Sequence, residues 1–210
     1  MKKVQLSTLV ALGVLSQPVI ALDEPNTATI AISLAMNYES SVDIDAYWLS
    51  EKLDGIRAYW SGSELLTRKG HKLHAPDWFT DPLPDHPIDG ELWAGRGGFQ
   101  KVARTVLDSE PDEASWRDIR FMMFDLPSSA GMFPKRYYEL STMVKALDIP
   151  HLKLVDQHPI SSEEMLFDVL EDISARKGEG VMLRRVDAVY RPGRHDDLIK
   201  LKKHQDAEAI

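Results

Sequence analysis

The sequence predicts an α+β fold in which antiparallel sheets are flanked by helices, and three observations support this class. Short runs of β-branched and aromatic residues recur along the chain, and turn residues separate them. A few longer segments carry apolar residues at helical spacing. No internal repeat or low-complexity tract is present. In a chain of 210 residues, this pattern is typical of one α+β domain.

The first predicted strands form a hairpin. Ile56–Trp60 and Leu65–Arg68 flank turn residues at 61–63, which are Ser, Gly and Ser. Ile88–Trp93 follows a proline-rich loop and is predicted to be the next strand. The compact apolar run Arg120–Leu126 is typical of a buried strand.

Three amphipathic helices are predicted. The first is expected to begin at Gly97, and apolar residues recur at helical spacing again over 137–147 and 165–173. Ser161 and Glu164 have the spacing of a capping box at the start of the third helix. Two more strands are predicted after that helix, at Val181–Arg184 and Leu198–Leu201.

Composition narrows the classes of function. Hydrophobic residues make up 43% of the chain and charged residues 28%, which excludes a disordered, collagenous or coiled-coil protein. The absence of cysteine excludes disulfide scaffolds, thiol catalysis and cysteine-ligated zinc. A formal net charge of −8 argues against a uniformly basic surface, so a polyanionic partner would have to meet a local basic patch.

Residues 1–21 have the pattern of an export signal. Lys2 and Lys3 precede an apolar run at 9–15, and a small residue, Ala21, stands before the expected cleavage position. The run is shorter than the about 20 residues that a membrane-spanning helix needs. A buried N-terminal helix is the alternative. We predict a signal peptide, a periplasmic protein and no stable membrane association once the signal is removed.

Lys52 is the first candidate for chemistry. It lies in the segment Glu51–Arg57 after a strand-like run that ends at Leu49, and we expect Gly55 to let the backbone bend sharply. A lysine can be a covalent nucleophile once its amine loses the proton, which requires a pKa below the usual value of about 10.4. A surface lysine beside an Asp-Gly turn is the alternative interpretation.

Further charged residues stand at the ends of otherwise apolar predicted strands. Such groups are costly to bury unless they are paired with one another or with an ion. Carboxylates, arginines and lysines together suit a polyphosphate and a divalent cation. Alternate residues of a strand share a face, so Lys200 and Lys202 in the last predicted strand are expected to point the same way. The set comprises Arg68, Glu91, Asp125, Glu179, Arg184, Lys200 and Lys202.

In this order and at these spacings, the segments from Glu51 to Lys202 resemble the nucleotidyltransferase motifs of ATP-dependent DNA ligases, which are related to RNA ligases and mRNA capping enzymes. The stretch Gly95–Gln100, the short chain and the export signal are similar to the minimal, periplasm-directed Lig E type. The resemblance implies an ATP-grasp-like adenylation domain over residues 22–204. It also implies a monomer that uses ATP with Mg²⁺ (or Mn²⁺) to seal nicked double-stranded DNA.

The resemblance implies catalytic and metal-binding roles as well. Lys52 would attack the α-phosphate of ATP to form lysyl-AMP, the AMP would pass to the 5′-phosphate of a nick, and the 3′-hydroxyl would displace it. Lys200 and Lys202 are expected to contact the α-phosphate and to favour the free amine of the nucleophile. Glu91 and Glu179 are expected to hold the divalent cation.

Nucleotide-binding roles follow in the same way. Asp54 and Arg57 match the rest of the motif around the nucleophile, and Arg68 suits a bidentate grip on phosphate or ribose. Phe124 is the candidate for the ring that stacks on adenine, with an ordinary core aromatic as the alternative. Glu51 is expected to help position the base.

DNA contacts are expected from local basic stretches. Arg96, Lys101 and Arg104 lie in a segment without acidic residues, and each phosphate that they neutralise would release counterions. A solvated surface charge is the alternative for each of them. His71 and His74 are predicted to bind no metal, because no third ligand accompanies the pair.

Residues 205–210 look like the first strand of a truncated OB-fold domain. From this we expect a chain that folds as an adenylation domain but forms lysyl-AMP and grips duplex DNA weakly, while the sealing of a pre-adenylated nick survives better. Two other functions remain open: an RNA ligase or capping-type nucleotidyltransferase, and a non-catalytic remnant that binds nucleotide or DNA.

Overall fold

Two five-stranded sheets make up the framework of residues 29–203, which are the residues that the computed structural model describes. We call them sheet I, with the strand order β1-β10-β9-β2-β8, and sheet II, with the order β4-β3-β5-β6-β7. The strands are β1 (Ser33–Asn37), β2 (Tyr47–Lys52), β3 (Ile56–Trp60), β4 (Leu65–Thr67), β5 (Ile88–Trp93), β6 (Arg120–Asp125), β7 (Leu152–Leu154), β8 (His158–Pro159), β9 (Gly180–Arg185) and β10 (Gly193–Leu201). The helices are α1 (Asp77–Thr80), α2 (Phe99–Val106), α3 (Glu113–Trp116), α4 (Phe133–Leu147) and α5 (Glu163–Ala175), with a 3₁₀ turn at Ile44–Ala46.

Antiparallel pairing dominates both sheets, as predicted, but each sheet also contains one parallel pair. In sheet I, β1 runs parallel to β10, and in sheet II, β7 runs parallel to β6. A parallel pair needs a long connection between its strands. Helix α4 belongs to the connection between β6 and β7, and nearly the whole described chain separates β1 from β10.

Each sheet has its own apolar core. The core of sheet II contains fully buried residues such as Phe79, Trp116 and Phe121, and α4 and α2 contact this sheet. The core of sheet I lies against α5, where Leu166 packs with Leu183 and their neighbours. Helices therefore flank the sheets, and the α+β prediction is confirmed.

The predicted helices and strands are present, with corrections at their ends. Strand β2 continues to Lys52 rather than ending at Leu49, because its pairing with β9 extends to the pair of Lys52 with Gly180. The capping prediction was wrong by one residue: Ser162, and not Ser161, is the N-cap of α5. The strands β1, β7 and β8 and the short helices α1 and α3 were not predicted.

Two predicted segments cannot be compared with the fold. The signal peptide at 1–21 and the OB-fold strand at 205–210 lie outside the described residues. Within 29–203, no helix combines the length and the apolar character that a membrane span requires.

Candidate functional site

A cavity of about 540 Å³ lies between sheet I and sheet II. Both sheets contribute to its wall, which explains why residues far apart in sequence meet there. Lining residues from sheet I and its neighbouring loops include Ser50, Glu51, Lys52, Met182, Arg184, Arg194 and Lys200. Lining residues from sheet II and its loops include Arg57, Arg68, His71, Glu91, Phe124, Val155 and Gln157.

Lys52 lies at the end of β2 within a cluster of charges. Its Nζ is 2.5 Å from Oε2 of Glu179, and Lys202 forms an ion pair with the other oxygen of the same carboxylate. The strand register produces this cluster, because β9 begins beside Lys52 and pairs with the end of β10. The sequence prediction that these three residues share a site is consistent with their positions.

Lys200 adds another cation to the cluster. It lines the cavity from β10, and its pKa is lowered by burial first and then by the positive charges of Lys202, Lys52 and Arg194. Besides burial, the charges of Lys202, Lys52 and Arg194 act on Lys200, so several positive charges lie close together at this point of the wall. An incoming anion would relieve that repulsion.

Glu91 faces the same charges from sheet II. The pKa of Glu91 is raised to about 7, mainly by burial and in part by the charge of Glu179, against the opposing charges of Arg57 and Lys52. The two carboxylates are thus close enough to interact. Burial of such a group is costly unless a cation compensates it.

The donor set of Glu91 and Glu179 fits a divalent metal ion that also binds phosphate. Mg²⁺ takes oxygen ligands and commonly binds through one or two carboxylates with waters and substrate phosphates. Among residues 29–203, no group of three or more His, Asp or Glu side chains is arranged to hold a metal by itself. The site therefore fits a cation that is shared with a ligand rather than one enclosed by protein.

Arg57 is held in place by a buried acid. Its Nε and Nη2 donate to the two oxygens of Asp89 at 2.7 and 2.6 Å, and Nη2 also donates to the carbonyl oxygen of Ser33 in β1. The guanidinium lies 4.8 Å from the centre of the Phe124 ring. Arg57 therefore supports the cavity wall and fixes the ring beside it.

Phe124 and Arg68 both line the cavity, in different environments. Phe124 is half-buried, so one part of its ring belongs to the wall rather than to the core. Arg68 follows β4 and is exposed at the rim, next to Lys69 and His71. The guanidinium of Arg184 also lies 5.5 Å from the centre of the Phe124 ring, and the rim carries cations that a polyanion would meet on entry.

The remaining predicted site residues lie at or outside the edge of the cavity. Asp54 does not line it. Glu51 does, but its carboxylate accepts two hydrogen bonds of 2.7 Å from Arg96, so these two residues form one bidentate pair. Lys101 pairs with Asp118, so a segment without acids in the sequence gains one through the fold.

Arg104 lies on α2 beside Lys101 and donates to the backbone oxygen of Gln100. Both basic side chains belong to a separate surface depression that also contains Asp108 and Asp112. The predicted basic stretch is therefore a surface of mixed charge.

A further group of charges connects the two sheets beside the cavity; the sequence had marked Asp125 and Arg184, but not their partners Arg136, Asp89 and Tyr190. Asp125 is fully buried and accepts hydrogen bonds from Arg136 of α4 and from Arg184 of β9. Asp89 lies opposite Asp125 in the strand register of β5 and β6. Its carboxylate accepts a 2.8 Å hydrogen bond from the hydroxyl of Tyr190. These contacts join sheet I to sheet II.

Comparison with protein-family models gives no match. A curated protein described as DNA ligase, from Haemophilus influenzae, is 31% identical over 165 residues, which are 79% of this chain and 61% of that protein. The chain thus spans about 61% of the length of this relative.

Solved structures of DNA ligases share the fold. A structure from a study of Lig E DNA ligases is 41% identical, with a TM-score of 0.78, and the match covers 84% of this chain and 70% of that one. The Chlorella virus DNA ligase-adenylate is 21% identical with a TM-score of 0.70, and the match covers 83% of this chain and 69% of that one. The ATP-dependent ligase of bacteriophage T7, solved with ATP, is 14% identical with a TM-score of 0.67, and the match covers 85% of this chain and 70% of that one.

The last two structures support the fold alone, which is that of a ligase adenylation domain with antiparallel sheets flanked by helices. The Lig E structure adds sequence identity over most of both chains. Together with the curated relative, it establishes that this chain belongs to the DNA ligase family.

Proposed function

We propose that the chain is the catalytic domain of an ATP-dependent DNA ligase that seals nicks between a 3′-hydroxyl and a 5′-phosphate in duplex DNA. The observation that carries the proposal is the position of Lys52, which lines a cavity of nucleotide size and whose amine pairs with Glu179. The same carboxylate pairs with Lys202, and Lys200 is near enough for its charge to interact with that of Lys52. ATP-dependent relatives and a ligase-adenylate with the same fold support it.

The first step is nucleophilic attack by the Lys52 amine on the α-phosphorus of ATP. The amine must first lose a proton, and Glu179 is the carboxylate in contact with it. A nitrogen–phosphorus bond forms, the bond to the leaving pyrophosphate breaks, and lysyl-AMP results. The 5′-phosphate of the nick then displaces the lysine, and the 3′-hydroxyl finally displaces AMP.

Negative charge is spread over phosphoryl oxygens in every one of these steps. Catalysis of phosphoryl transfer therefore depends mainly on positioning and electrostatic stabilisation. Lys200, which lines the cavity, and Lys202, which pairs with Glu179, would stabilise charge at the α-phosphate, and Arg68 and Lys69 at the rim would meet the polyphosphate or the nick. Glu91 and Glu179 would hold Mg²⁺ or Mn²⁺, which would offset further negative charge.

The base would lie deeper in the cavity, against the half-buried ring of Phe124. Aromatic stacking on a base contributes about 1–3 kcal/mol in single-stranded nucleic-acid complexes. Glu51, locked by Arg96, would shape the backbone next to the nucleophile.

The proposal is tested by incubation with α-³²P-ATP and Mg²⁺, followed by denaturing electrophoresis. We expect a covalent label on the wild-type chain and none on Lys52→Ala. Lys203→Ala is the matched control, because Lys203 pairs with the exposed Glu171 on the surface and lies outside the cavity wall. A label that persists in Lys52→Ala would overturn the assignment of the nucleophile.

Sealing assays on nicked DNA and nicked RNA duplexes test the substrate. We propose DNA, contacted in part by Arg96, Lys101 and Arg104. Binding of nicked DNA should weaken as salt rises, and Lys101→Ala with Arg104→Ala should reduce the salt dependence. Lys145→Ala, at an exposed position near the end of α4, is the control. Preferential sealing of RNA would replace the proposal by its RNA-ligase alternative.

We further propose that residues 1–21 direct the protein to the periplasm and that it acts there as a monomer. The basic start and the short apolar run support export. Fractionation of cells that express the chain with and without residues 1–21 tests the location. Retention of both forms in the cytoplasm would contradict it.

A further inference from the structure

Gln157 is a buried polar side chain in the cavity wall that the proposed mechanism does not use. It lies between β7 and β8, in the segment that leads from sheet II to sheet I. Only 9% of the residue is exposed, and its side chain lines the cavity. Its Oε1 is buried and accepts no hydrogen bond from any residue in the described part of the chain. Natural proteins rarely leave such an acceptor unpaired.

The neighbours of Gln157 place it at the end of the cavity where a base would lie. His158, the residue after Gln157, pairs with Leu49 of β2. Extending this antiparallel register by one residue puts Gln157 opposite Ser50. Ser50 shares a face of β2 with Lys52, two residues further along, and it also lines the cavity. A nucleotide whose α-phosphate meets Lys52 would therefore extend toward Ser50 and Gln157.

The adenine-stacking candidate is on the same side. The segment before Gln157 is attached to β6, because the backbone N–H of Val155 donates to the carbonyl oxygen of Met123 at 2.8 Å. Val155 and Phe124 both line the cavity. Gln157 therefore shares a cavity wall with Phe124, on a segment that is anchored to the strand of that ring.

We propose that the side-chain amide of Gln157 recognises the nucleobase by accepting a hydrogen bond from the exocyclic amino group of adenine. The inference rests on the proposed nucleotide site and deepens it by naming a residue that determines base specificity. The last torsion of a glutamine side chain is soft, and rotation about it interchanges the oxygen and the nitrogen of the amide. Oε1 can therefore turn to the cavity when a base supplies the missing donor.

Two nucleotides that differ in one group test the proposal. ATP carries the 6-amino group, whereas purine riboside 5′-triphosphate lacks it and is otherwise the same. By isothermal titration calorimetry, we expect the wild-type chain to bind ATP about tenfold to a hundredfold more tightly than the purine nucleotide. In Gln157→Leu this preference should disappear through weaker ATP binding, with the affinity for the purine nucleotide within about threefold of wild type. Gln100→Leu, the same change at an exposed position on α2 outside the cavity, should behave as wild type.

The thermal stability of Gln157→Leu separates recognition from a structural role. Because Oε1 has no partner among the described residues, an apolar side chain of similar size should leave the melting temperature at or above that of wild type. A marked fall in melting temperature would mean that the amide stabilises the fold, and it would overturn the inference. An unchanged preference for ATP in this variant would also overturn it.

Covalent labelling by the two nucleotides keeps this inference apart from the proposed function. If the wild-type chain binds ATP through Gln157 but Lys52 acquires no label, the ligase mechanism fails and the recognition role stands. If labelling depends on Lys52 but Gln157→Leu prefers ATP over the purine nucleotide as strongly as wild type does, the mechanism stands and the role of Gln157 fails. If neither nucleotide binds, both proposals fail.

Discussion

Gly55 shows how one residue near the nucleophile can be required by packing rather than by backbone conformation. The sequence predicted that Gly55 permits a sharp bend, yet its backbone does not adopt the left-handed conformation that favours glycine. A Cβ at this position would overlap the carbonyl oxygen of Leu92 and lie 3.0 Å from Cγ of Glu91. The glycine thus lets the chain after Lys52 lie directly against β5.

Gly55→Ala should therefore weaken both the fold and the site. Overpacking of this kind typically costs about 1–3 kcal/mol, and relief of the overlap would push Glu91 out of place. We expect a lower free energy of unfolding in urea and slower formation of lysyl-AMP. Wild-type stability together with wild-type labelling would show that the close approach to β5 is not needed.

His151 makes stability depend on pH. It is buried, stacks on Phe79, and its Nε2 lies 2.9 Å from the carbonyl oxygen of Phe79, so that nitrogen carries the proton and donates. The pKa of His151 is lowered, mainly by burial and also by the charge of Arg120, against the opposing hydrogen bond to Phe79. The unfolded chain therefore binds a proton more readily than the folded one as pH falls below about 6.5.

We expect the contribution of His151 to the free energy of unfolding to be largest above pH 6.5 and to fall as the pH is lowered. Urea unfolding at pH 7.5 and 5.5 measures the difference, which should shrink in His151→Phe. His74→Gln, at an exposed position, should keep the wild-type pH dependence. An equal pH dependence in His151→Phe would assign the effect to other groups.

At the scale of the element, α5 begins where a side chain can cap it. Ser162 is extended and its Oγ accepts a 3.1 Å hydrogen bond from the backbone N–H of Met165, so the helix begins at Glu163. The capping-box pattern had pointed to Ser161 and Glu164. Two adjacent serines carry the same chemical signal, and the packing of Leu166 and Leu170 into the core of sheet I decides between them.

This difference of one residue can be measured. Ser162→Ala should lower the free energy of unfolding by about 1 kcal/mol, because one N–H of the first turn loses its acceptor. Ser161→Ala is the matched control and should leave stability unchanged, since the residue is exposed and precedes the cap. Equal losses in the two variants would contradict the observed start of α5.

At the scale of the whole molecule, buried charges hold the two sheets together around the cavity. Asp125 of sheet II accepts hydrogen bonds from Arg184 of sheet I and from Arg136, and none of these side chains is more than 9% exposed. A buried pair is weak evidence for stability by itself, but removal of one partner leaves an uncompensated charge. The arrangement therefore fixes how the sheets face each other.

Asp125→Asn should consequently lower the free energy of unfolding by about 3–5 kcal/mol, because two buried guanidinium groups lose their anion. Asp118→Asn removes a carboxylate from the exposed pair with Lys101, and we expect little effect on unfolding from it. Chemical denaturation of both variants provides the comparison. Similar effects at the two positions would show that the buried network does not stabilise the contact between the sheets.

The sequence alone determined the elements whose pattern is local. Helices α2, α4 and α5 were predicted because apolar spacing is a property of consecutive residues, and so were the strands β3, β5, β6 and β9. It also indicated the charged residues of the cavity, since charges at the ends of apolar strands are unusual. The order and spacing of the segments from Glu51 to Lys202 carried the resemblance to DNA ligases.

Only the tertiary structure decided which of these groups meet and which unmarked residues join them. Strands β1 and β7 depend on partners distant in sequence, and their own residues carry little signal. Gln157 and Tyr190 look like ordinary polar residues until the two sheets close around them. Burial and hydrogen bonding arise from the whole fold, so local composition reveals the reactive groups but not their neighbours.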